Sequence, residues 1–137
     1  MKLLLDTHII IWALTNDSQL PYAAREMINA PENIVYFSVV SLWEIAVKNQ
    51  KSPEKCPWNE KEIMDYCIAS GYEPMNVLPT HILAIRSLKI RIGRALSNLD
   101  PFDRLLIAQA KTENCRFLSH DRNFENYEEN HLMMISL

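Results

Sequence analysis

Cysteine is scarce in this sequence. The 137 residues include Cys56, Cys67 and Cys115, which are odd in number and widely separated. Their spacing excludes the close cysteine pairs of zinc knuckles and dithiol redox motifs. Disulfides form mainly in oxidising compartments, so the pattern favours reduced thiols in the cytoplasm. We predict that all three cysteines are packing residues.

Long apolar runs are also missing. A membrane-spanning helix requires about 20 apolar residues in a row, and no stretch approaches that length. The apolar run at the N-terminus ends at Asp6, too soon for a signal peptide, and His8 interrupts the stretch that continues to Leu14. These absences predict a protein that is neither exported nor inserted in a membrane, and therefore a cytoplasmic one.

The chain has no excess of positive charge. Its 14 Lys and Arg residues and 17 Asp and Glu residues give a formal net charge of −3. Proteins that coat nucleic acid make many phosphate contacts through Lys and Arg, so this balance argues against that class. Arg86, Lys89, Arg91 and Arg94 nevertheless form a basic run with no acid among them. The run is either a solvated helix face or a surface for phosphates or an acidic partner.

The overall composition is that of a soluble globular protein, with 48% hydrophobic and 23% charged residues. A chain of this length fits one core, so we expect residues 1–137 to form a single domain. β-Branched and aromatic runs predict strands, and amphipathic patterns predict helices. The predicted strands are residues 3–5, 34–37, 75–78, 116–119 and 132–135. The predicted helices are residues 8–14, 22–30, 39–49, 60–70, 80–88 and 101–113.

Strands that alternate with helices in one short chain indicate parallel βαβ units. We therefore predict an α/β fold, a three-layer α/β/α sandwich whose central sheet is mostly parallel and has about five strands. Residues 52–57, 92–94 and 97–98 are predicted loops. Ligands of such open sheets bind beyond the carboxyl ends of the strands, where Asp6 and Asp121 fall.

Four acids that are far apart in the chain each lie at or just beyond an apolar segment. They are Asp6, Glu44, Asp103 and Asp121. A folded α/β protein would bring such positions together. Converging carboxylates repel one another unless a divalent cation neutralises them, and hard oxygen ligands favour Mg²⁺ or Mn²⁺. Such a pocket suits metal-assisted phosphodiester hydrolysis.

Ordinary helix capping is the alternative explanation for these acids, because Asp, Ser and Thr are preferred at helix starts. Asp6 precedes Thr7, and either side chain can cap the helix that follows. Asp100 suits the cap of the helix predicted over residues 101–113, because a proline follows it at the first helical position. Asp103 then remains in the first turn, where the helix dipole also favours negative charge.

Glu44 and Asp121 have capping alternatives of their own. Glu44 stands three residues after Ser41, which is the spacing of a capping box. Ser38 is the better cap because it directly follows the predicted strand, and it leaves Glu44 in the second turn, beyond capping reach. A carboxylate on this otherwise apolar helix is costly to bury unless a cation meets it. Asp121 follows a predicted strand and can cap the short turn of residues 122–124.

Four strings of sequence surround the acids in order. They are Leu3-Leu4-Leu5-Asp6-Thr7-His8 with Trp12 after it, Ser41-Leu42-Trp43-Glu44-Ile45-Ala46, Asp100-Pro101-Phe102-Asp103-Arg104-Leu105-Leu106-Ile107-Ala108-Gln109-Ala110, and Ser119-His120-Asp121. Together they resemble the PIN-domain ribonucleases, particularly the VapC-like toxins of bacterial toxin-antitoxin pairs. The resemblance runs essentially from end to end. The family often has a small residue beside its last acid, whereas this sequence has His120.

The resemblance implies a metal-dependent endoribonuclease. One or two Mg²⁺ or Mn²⁺ ions would be held by Asp6, Glu44, Asp103 and Asp121. Activated water would attack the RNA backbone and leave 5′-phosphate and 3′-hydroxyl ends. The residues expected either to orient carboxylates or water, or to cap helices instead, are Thr7, Ser38 and Ser41. Arg104 is expected to contact a phosphate, with a capping role as its alternative. His8 and His120 are assigned no metal.

The resemblance also implies partners. These are an RNA substrate, a small antitoxin whose C-terminal segment wraps the toxin, and a second copy of the chain. The apolar helix of residues 39–47 is one candidate dimer surface, and core burial explains it equally. Trp12, Trp43 and Phe102 are expected in the core or at that interface, although an exposed aromatic can stack on a base. The rival interpretation is a catalytically inactive PIN-fold module that binds RNA or protein.

Overall fold

The computed structural model describes residues 1–91, 93 and 99–134. Its strands are β1 (Lys2–Leu5), β2 (Ile34–Ser38), β3 (Glu73–Met75), β4 (Arg116–Ser119) and β5 (Leu132–Met134). Its α-helices are α1 (Thr7–Leu14), α2 (Tyr22–Asn29), α3 (Val39–Lys51), α4 (Glu60–Ala69), α5 (Pro79–Ala84) and α6 (Pro101–Thr112). Two 3-10 turns are Ile85–Ser87 and Arg122–Asn126. The elements alternate as the sequence predicts.

The five strands form one sheet in the order β3-β2-β1-β4-β5. Every pairing between neighbouring strands is parallel, so the predicted sheet is confirmed. The central strand β1 pairs with β2 through Leu3 opposite Val35, and with β4 through Leu4 opposite Phe117. The chain builds outward from β1 to β3 on one side and adds β4 and β5 on the other. The ends of β1 and β4 therefore flank the topological switch point, where open α/β sheets bind ligands.

The side chains of β1 contribute to two apolar layers, because successive side chains of a strand point to opposite faces of the sheet. Leu3 and Leu5 pack in one cluster with buried residues of α1, α2 and α4, whereas Leu4 packs in a second with buried residues of α6. All three leucines are fully buried. Helices thus cover both faces of the sheet, and the predicted three-layer α/β/α sandwich is confirmed. The cysteines are unpaired and buried within the same clusters, as predicted.

Helices α4 and α6 are each followed by a residue with a positive φ angle, as α1 also is at Asn16. After α4, Gly71 has φ +85°, and the amide of Tyr72 donates to the carbonyl of Cys67 at 3.0 Å. After α6, Asn114 has φ 57°, and the amide of Cys115 donates to the carbonyl of Ala110 at 2.8 Å. Both are Schellman ends, in which a left-handed residue lets the chain turn back toward the sheet. The second turn leads directly into β4.

Some predicted boundaries were wrong. The strand predicted at residues 75–78 is β3 at Glu73–Met75, because its register follows β2, with Tyr36 opposite Glu73. Leu78 instead precedes α5 in extended conformation. The helix predicted over 80–88 is six residues of α-helix followed by a 3-10 turn. Residues 92, 94–98 and 135 of the predicted loops and last strand lie outside the described residues.

The basic run does not form one helix face. Arg86 lies in the first 3-10 turn, whereas Lys89 and Arg91 follow it and pair their backbones with residues 126 and 128. The helix-face interpretation is therefore wrong for those two residues, and Arg94 lies outside the described residues. Among the helices that the structure describes, none is long and apolar enough to cross a membrane.

Candidate active site

All four predicted acids line one cavity of about 200 Å³ at the carboxyl edge of the sheet. The residues that share its wall with them include His8, Lys48, Asp100, Phe102 and Asn123. The acids come from the end of β1, the second turn of α3, the first turn of α6 and the segment after β4. Parallel strands and the starts of the following helices meet at this edge, which explains how residues more than 100 positions apart become neighbours.

Asp6 is the most buried of the acids, at 4% exposure. It stands at the N-cap position of α1, where its Oδ1 accepts a hydrogen bond from the amide of Thr7 at 2.8 Å. Its Oδ2 accepts from the Ser119 hydroxyl at 2.8 Å. Burial raises the pKa of Asp6 to about 7, against the effect of both hydrogen bonds and with a further contribution from Glu44. Near neutral pH this carboxyl group is therefore only partly ionised.

Thr7 does not take over the capping role. It is the first residue of α1, and its Oγ1 lies 2.8 Å from Glu44 Oε1 and 2.9 Å from Ser41 Oγ. An ionised carboxylate can only accept, so the single Thr7 hydroxyl proton goes to Glu44 and Ser41 donates to Thr7. The hydroxyls of Thr7 and Ser41 thus form a short chain that orients the Glu44 carboxylate.

Ser38, in contrast, is a helix cap. Its Oγ accepts from the amide of Val40 at 3.0 Å and donates to the side-chain carbonyl of Gln109. Capping by Ser38 puts Glu44 in the second turn of α3, as predicted, and Ser41 does not form a capping box with it. In the described residues, the Ser38 hydroxyl bonds to Gln109 and Val40 and to none of the four acids, so its predicted role in orienting a carboxylate has no contact to support it.

A lysine meets the Glu44 carboxylate. Lys48 Nζ lies 2.6 Å from Glu44 Oε2, and the side chains are 46% and 15% exposed respectively. Both residues are on α3, four positions apart, which is the favourable order for a helical ion pair. Sequence reasoning required a cation here but missed this one, although the spacing was visible. Burial lowers the pKa of Lys48, but the hydrogen bond to Glu44 and the negative charges of Glu44 and Asp6 together outweigh burial and raise the pKa above its usual value.

Asp103 lines the cavity from the first turn of α6 and does not cap that helix. Asp100 caps the helix by accepting from the amides of Phe102 and Asp103 at 2.8 and 3.2 Å. In the described part of the chain, the Asp103 carboxylate itself accepts no hydrogen bond. Burial, followed by repulsion from Asp6 and Asp100, raises the pKa of Asp103 to about 8. The favourable helix dipole is outweighed by these two effects.

Asp121 is joined to Asp6 through Ser119. The Ser119 hydroxyl donates to Asp6 and accepts from the Asp121 amide at 3.0 Å, so one buried side chain links two of the acids. Asp121 Oδ1 also accepts from the amide of Asn123 at 2.9 Å, which confirms the predicted cap. Sequence reasoning assigned Ser119 no role. Its place two residues before the last acid was the available signal.

The histidines and Arg104 have other surroundings. The ring of His120 packs on Trp12 with centroids 4.4 Å apart, and Trp12 is 7% exposed. The pKa of His8 is lowered by burial and by Lys48. Arg104 does not line the cavity and lies beside Tyr127, whose pKa burial raises to about 12. The predicted phosphate contact of Arg104 thus has no support from the cavity geometry.

Trp43 is not in the core of this chain. It is 60% exposed on α3, and its ring meets the edge of Phe102 at a centroid distance of 4.5 Å. Phe102 and Val47 line the carboxylate cavity. Exposed Trp43 and half-buried Phe102 therefore border the acids on the α3 and α6 side.

The donor set fits a hard divalent cation. Four carboxylates supply oxygen ligands. Burial, and after it repulsion from the neighbouring acids, raises the pKa values of Asp6 and Asp103, so a cation between them would be favourable. Across residues 1–91, 93 and 99–134, no three His, Cys, Asp or Glu side chains are already gathered as ligands of one ion. Hydrogen bonds hold the oxygens of Asp6 and Glu44 toward Ser119, Thr7 and Lys48. Closure on a cation would require these side chains to adjust.

Comparisons with known proteins agree on the fold. One similar solved structure is DNA-bound VapBC from Salmonella typhimurium, with TM-score 0.68, 20% identity and 98% of each chain covered. Another is VapBC2 from Rickettsia felis bound to a DNA fragment from its promoter, with TM-score 0.67, 19% identity and 98% of each chain covered. VapBC-5 from Mycobacterium tuberculosis gives TM-score 0.59 and 19% identity over 99% of this chain and 98% of that one.

No curated protein matches the chain. The family model described as PIN domain matches residues 3–130, which include all four acids of the cavity. The parallel sheet, the acids at its switch point and this match lead to one conclusion. The chain belongs to the PIN domain family.

Proposed function

We propose that the protein is a metal-dependent endoribonuclease and the toxin of a toxin-antitoxin pair. The observation that carries the proposal is the convergence of Asp6, Glu44, Asp103 and Asp121 in one cavity of a PIN-domain chain. Buried carboxylates at this density are costly without a cation, and burial together with mutual repulsion raises the pKa values of Asp6 and Asp103. Acids that served only as helix caps would not need to converge in one cavity.

The four carboxylates would hold one or two Mg²⁺ or Mn²⁺ ions. A bound divalent ion would supply a lowered pKa for the attacking water and charge stabilisation for the leaving oxygen. The chain's own residues provide orientation. Ser119 fixes Asp6, and Thr7 fixes Glu44. Lys48 stands at the rim, where its ammonium group can leave Glu44 for a phosphate of the substrate.

Cleavage of a single-stranded RNA tests this proposal. Purified protein should cut in Mg²⁺ or Mn²⁺, leave 5′-phosphate ends, and stop when a chelator is added. Asp6→Asn and Asp103→Asn should abolish cutting while retaining the far-ultraviolet circular dichroism of the wild type. Cutting that persists in chelator would reject the metal mechanism. RNA binding without cutting by either wild type or Asp103→Asn would support the inactive module instead.

We propose an antitoxin partner on the same basis. The similar solved structures are VapBC assemblies, and the cavity is an acidic site that a basic side chain of a partner can enter. Lys48 shows that a primary ammonium group is accommodated beside Glu44. Induced expression of the wild type should arrest bacterial growth, and Asp103→Asn should not. Normal growth at equal expression of wild type would contradict the toxin assignment.

A homodimer and a cytoplasmic location complete the proposal. Trp43 and Val47 on α3 are 60% and 44% exposed, and Leu83 on α5 is 77% exposed, which is apolar surface available to a second copy. Light scattering should show that Trp43→Lys converts a dimer into a monomer. Tyr66→Lys should not do so, because Tyr66 is 54% exposed on a different helix, α4. We take residues 1–137 as one functional domain acting on cytoplasmic RNA.

A further inference from the structure

A second, larger cavity adjoins the carboxylate cavity. It has a volume of about 580 Å³ and is bordered by α1, the second half of α3 and the loop after α3. His8 and Lys48 line both cavities, so the two adjoin at these side chains. We call the larger one the lysine groove. Its defining residues are Lys48, Lys51, Lys55, Trp12 and Trp58.

The lysine groove carries positive charge, whereas the neighbouring carboxylate cavity carries negative charge. Three lysines line it with one acid, Asp17, in a chain whose formal net charge is −3. Asp17 is hydrogen-bonded to Gln19. For the residues that the structure describes, neither Lys51 nor Lys55 forms an ion pair. These two ammonium groups are therefore available to an anionic ligand.

The floor of the groove is apolar and aromatic. Ile11 and Ile45 lie beneath it, Trp12 is almost completely buried, and Trp58 is half-buried at its wall. A basic track with an accessible aromatic face is the combination that binds single-stranded nucleic acid, because lysines contact phosphates and any base can stack on the ring. Trp58 is the ring with exposed surface here.

The position of the groove favours RNA over a protein segment. A strand whose scissile phosphate reaches the carboxylates must continue along a neighbouring surface, and the groove is a basic surface that adjoins that cavity. Arg86, Lys89 and Arg91 do not line either cavity. An acidic, partly apolar peptide is the alternative occupant, and the binding test below distinguishes it from RNA.

We propose that the lysine groove binds the single-stranded RNA next to the scissile phosphate, with Lys51 and Lys55 on backbone phosphates and Trp58 stacked on a base. This inference rests on the proposed function, because that function places the scissile phosphate of the RNA at the carboxylates. It assigns the substrate a single-stranded form on this side of the cut, since paired bases cannot stack on Trp58.

The test separates binding from cutting. All variants are made in an Asp103→Asn background, which should not cut, and the affinity for a fluorescent 12-nucleotide single-stranded RNA is measured by anisotropy at several salt concentrations. Lys51→Gln/Lys55→Gln removes two charges from the groove. Arg86→Gln/Lys89→Gln is the matched control, because it removes two charges elsewhere. Thermal unfolding checks that every variant is folded.

The groove variant should lose roughly tenfold or more in affinity, and its salt dependence should fall by about 1.4 in log-log slope, which is two phosphate contacts. The control should lose less than threefold. Trp58→Leu should weaken binding at least about fivefold. Equal losses in the two charge variants would overturn the proposal, since net charge alone would then be at work. Unchanged binding in the groove variant would also overturn it and would leave the groove to a protein segment.

Cutting by the wild type is scored separately. For this comparison Lys51→Gln/Lys55→Gln is also made without Asp103→Asn. If the wild type cuts RNA and this variant binds and cuts equally well, the proposed function stands and the groove proposal fails. If no variant or wild type cuts, but the groove variant alone loses RNA affinity, the groove proposal stands and the enzymatic proposal fails. If Asp103→Asn with an unaltered groove does not bind RNA, the groove proposal is overturned.

Discussion

Replacement of Asp103 by asparagine should stabilise the protein in the absence of divalent metal. Asn has nearly the shape of Asp, and the Asp103 carboxylate accepts no hydrogen bond from the described residues that the change would break. The substitution removes a negative charge whose pKa is raised from 3.8 to about 8 by burial and by neighbouring acids. Activity would be lost while stability rises, which is typical of a site strained for function.

The magnitude follows from the difference between the two pKa values. Each tenfold change in acidity corresponds to about 1.4 kcal/mol, so the full difference amounts to about 5 kcal/mol at pH 7.5. The side chain is partly exposed, and solvent screening reduces this upper bound to about 1–2 kcal/mol. Loss of the favourable interaction with the α6 dipole offsets a few tenths of a kcal/mol. The melting temperature should rise by roughly 3–8 °C.

The effect has a defined pH dependence. Because the folded-state pKa lies above the unfolded one, the folded wild type binds more protons between about pH 4 and pH 8, and it loses stability as pH rises through that window. The advantage of Asp103→Asn should therefore be absent near pH 4, grow with pH and level off above pH 8. Asp6, with a raised pKa of about 7, adds to the loss in the wild type but is common to both proteins.

Thermal unfolding by circular dichroism in chelator, at intervals from pH 4 to pH 8.5, measures this prediction. Glu54→Gln is the matched control, since Glu54 is an exposed acid on the loop after α3 and its replacement also removes one negative charge. The control should leave the melting temperature within about 1 °C of the wild type. A melting temperature of Asp103→Asn at or below that of the wild type at pH 8 would refute the reasoning.

Two further predictions concern the hydrogen bonds around the acids, and a third concerns the buried side chain of His81. Ser119→Ala removes the donor that lowers the Asp6 pKa, so the acidic limb of the pH-rate profile should move to higher pH, and an unmoved profile would deny Ser119 its positioning role. Thr7→Val should lower kcat about tenfold or more by releasing Glu44, whereas Thr15→Val, which breaks an exposed bond to a carbonyl, should leave kcat unchanged. His81→Phe should cost about 1–3 kcal/mol in chemical unfolding, because the buried ring joins the Leu78 amide to Glu113. A loss below about 0.5 kcal/mol would show that these bonds are exchanged for water without cost.

Local sequence signals were sufficient for much of the fold. The apolar run before Asp6, the Ser38 cap and the Asp100 cap with its proline each act within a few residues, and the structure has all three as predicted. Gly71 likewise ends α4 where a left-handed residue is needed. Such features depend on neighbours in the chain, so periodicity and capping rules describe them well.

Features that depend on distant partners were less accessible. The register of β3 is set by pairing with β2, and its local pattern pointed two residues further along. The bond between Ser119 and Asp6 joins residues 113 positions apart and exists because β1 and β4 are neighbours in the sheet. The Lys48 ion pair was readable from its spacing, but its location at the cavity was not.

Binding of Mn²⁺, followed by electron paramagnetic resonance of the free ion, tests the central claim most directly because it needs neither substrate nor partner. The account predicts saturable binding by the wild type at neutral pH and at least about a tenfold weaker affinity in Asp103→Asn, while Glu54→Gln binds as the wild type does. Equal Mn²⁺ affinity in the wild type and Asp103→Asn would contradict the assignment of these carboxylates as a metal site.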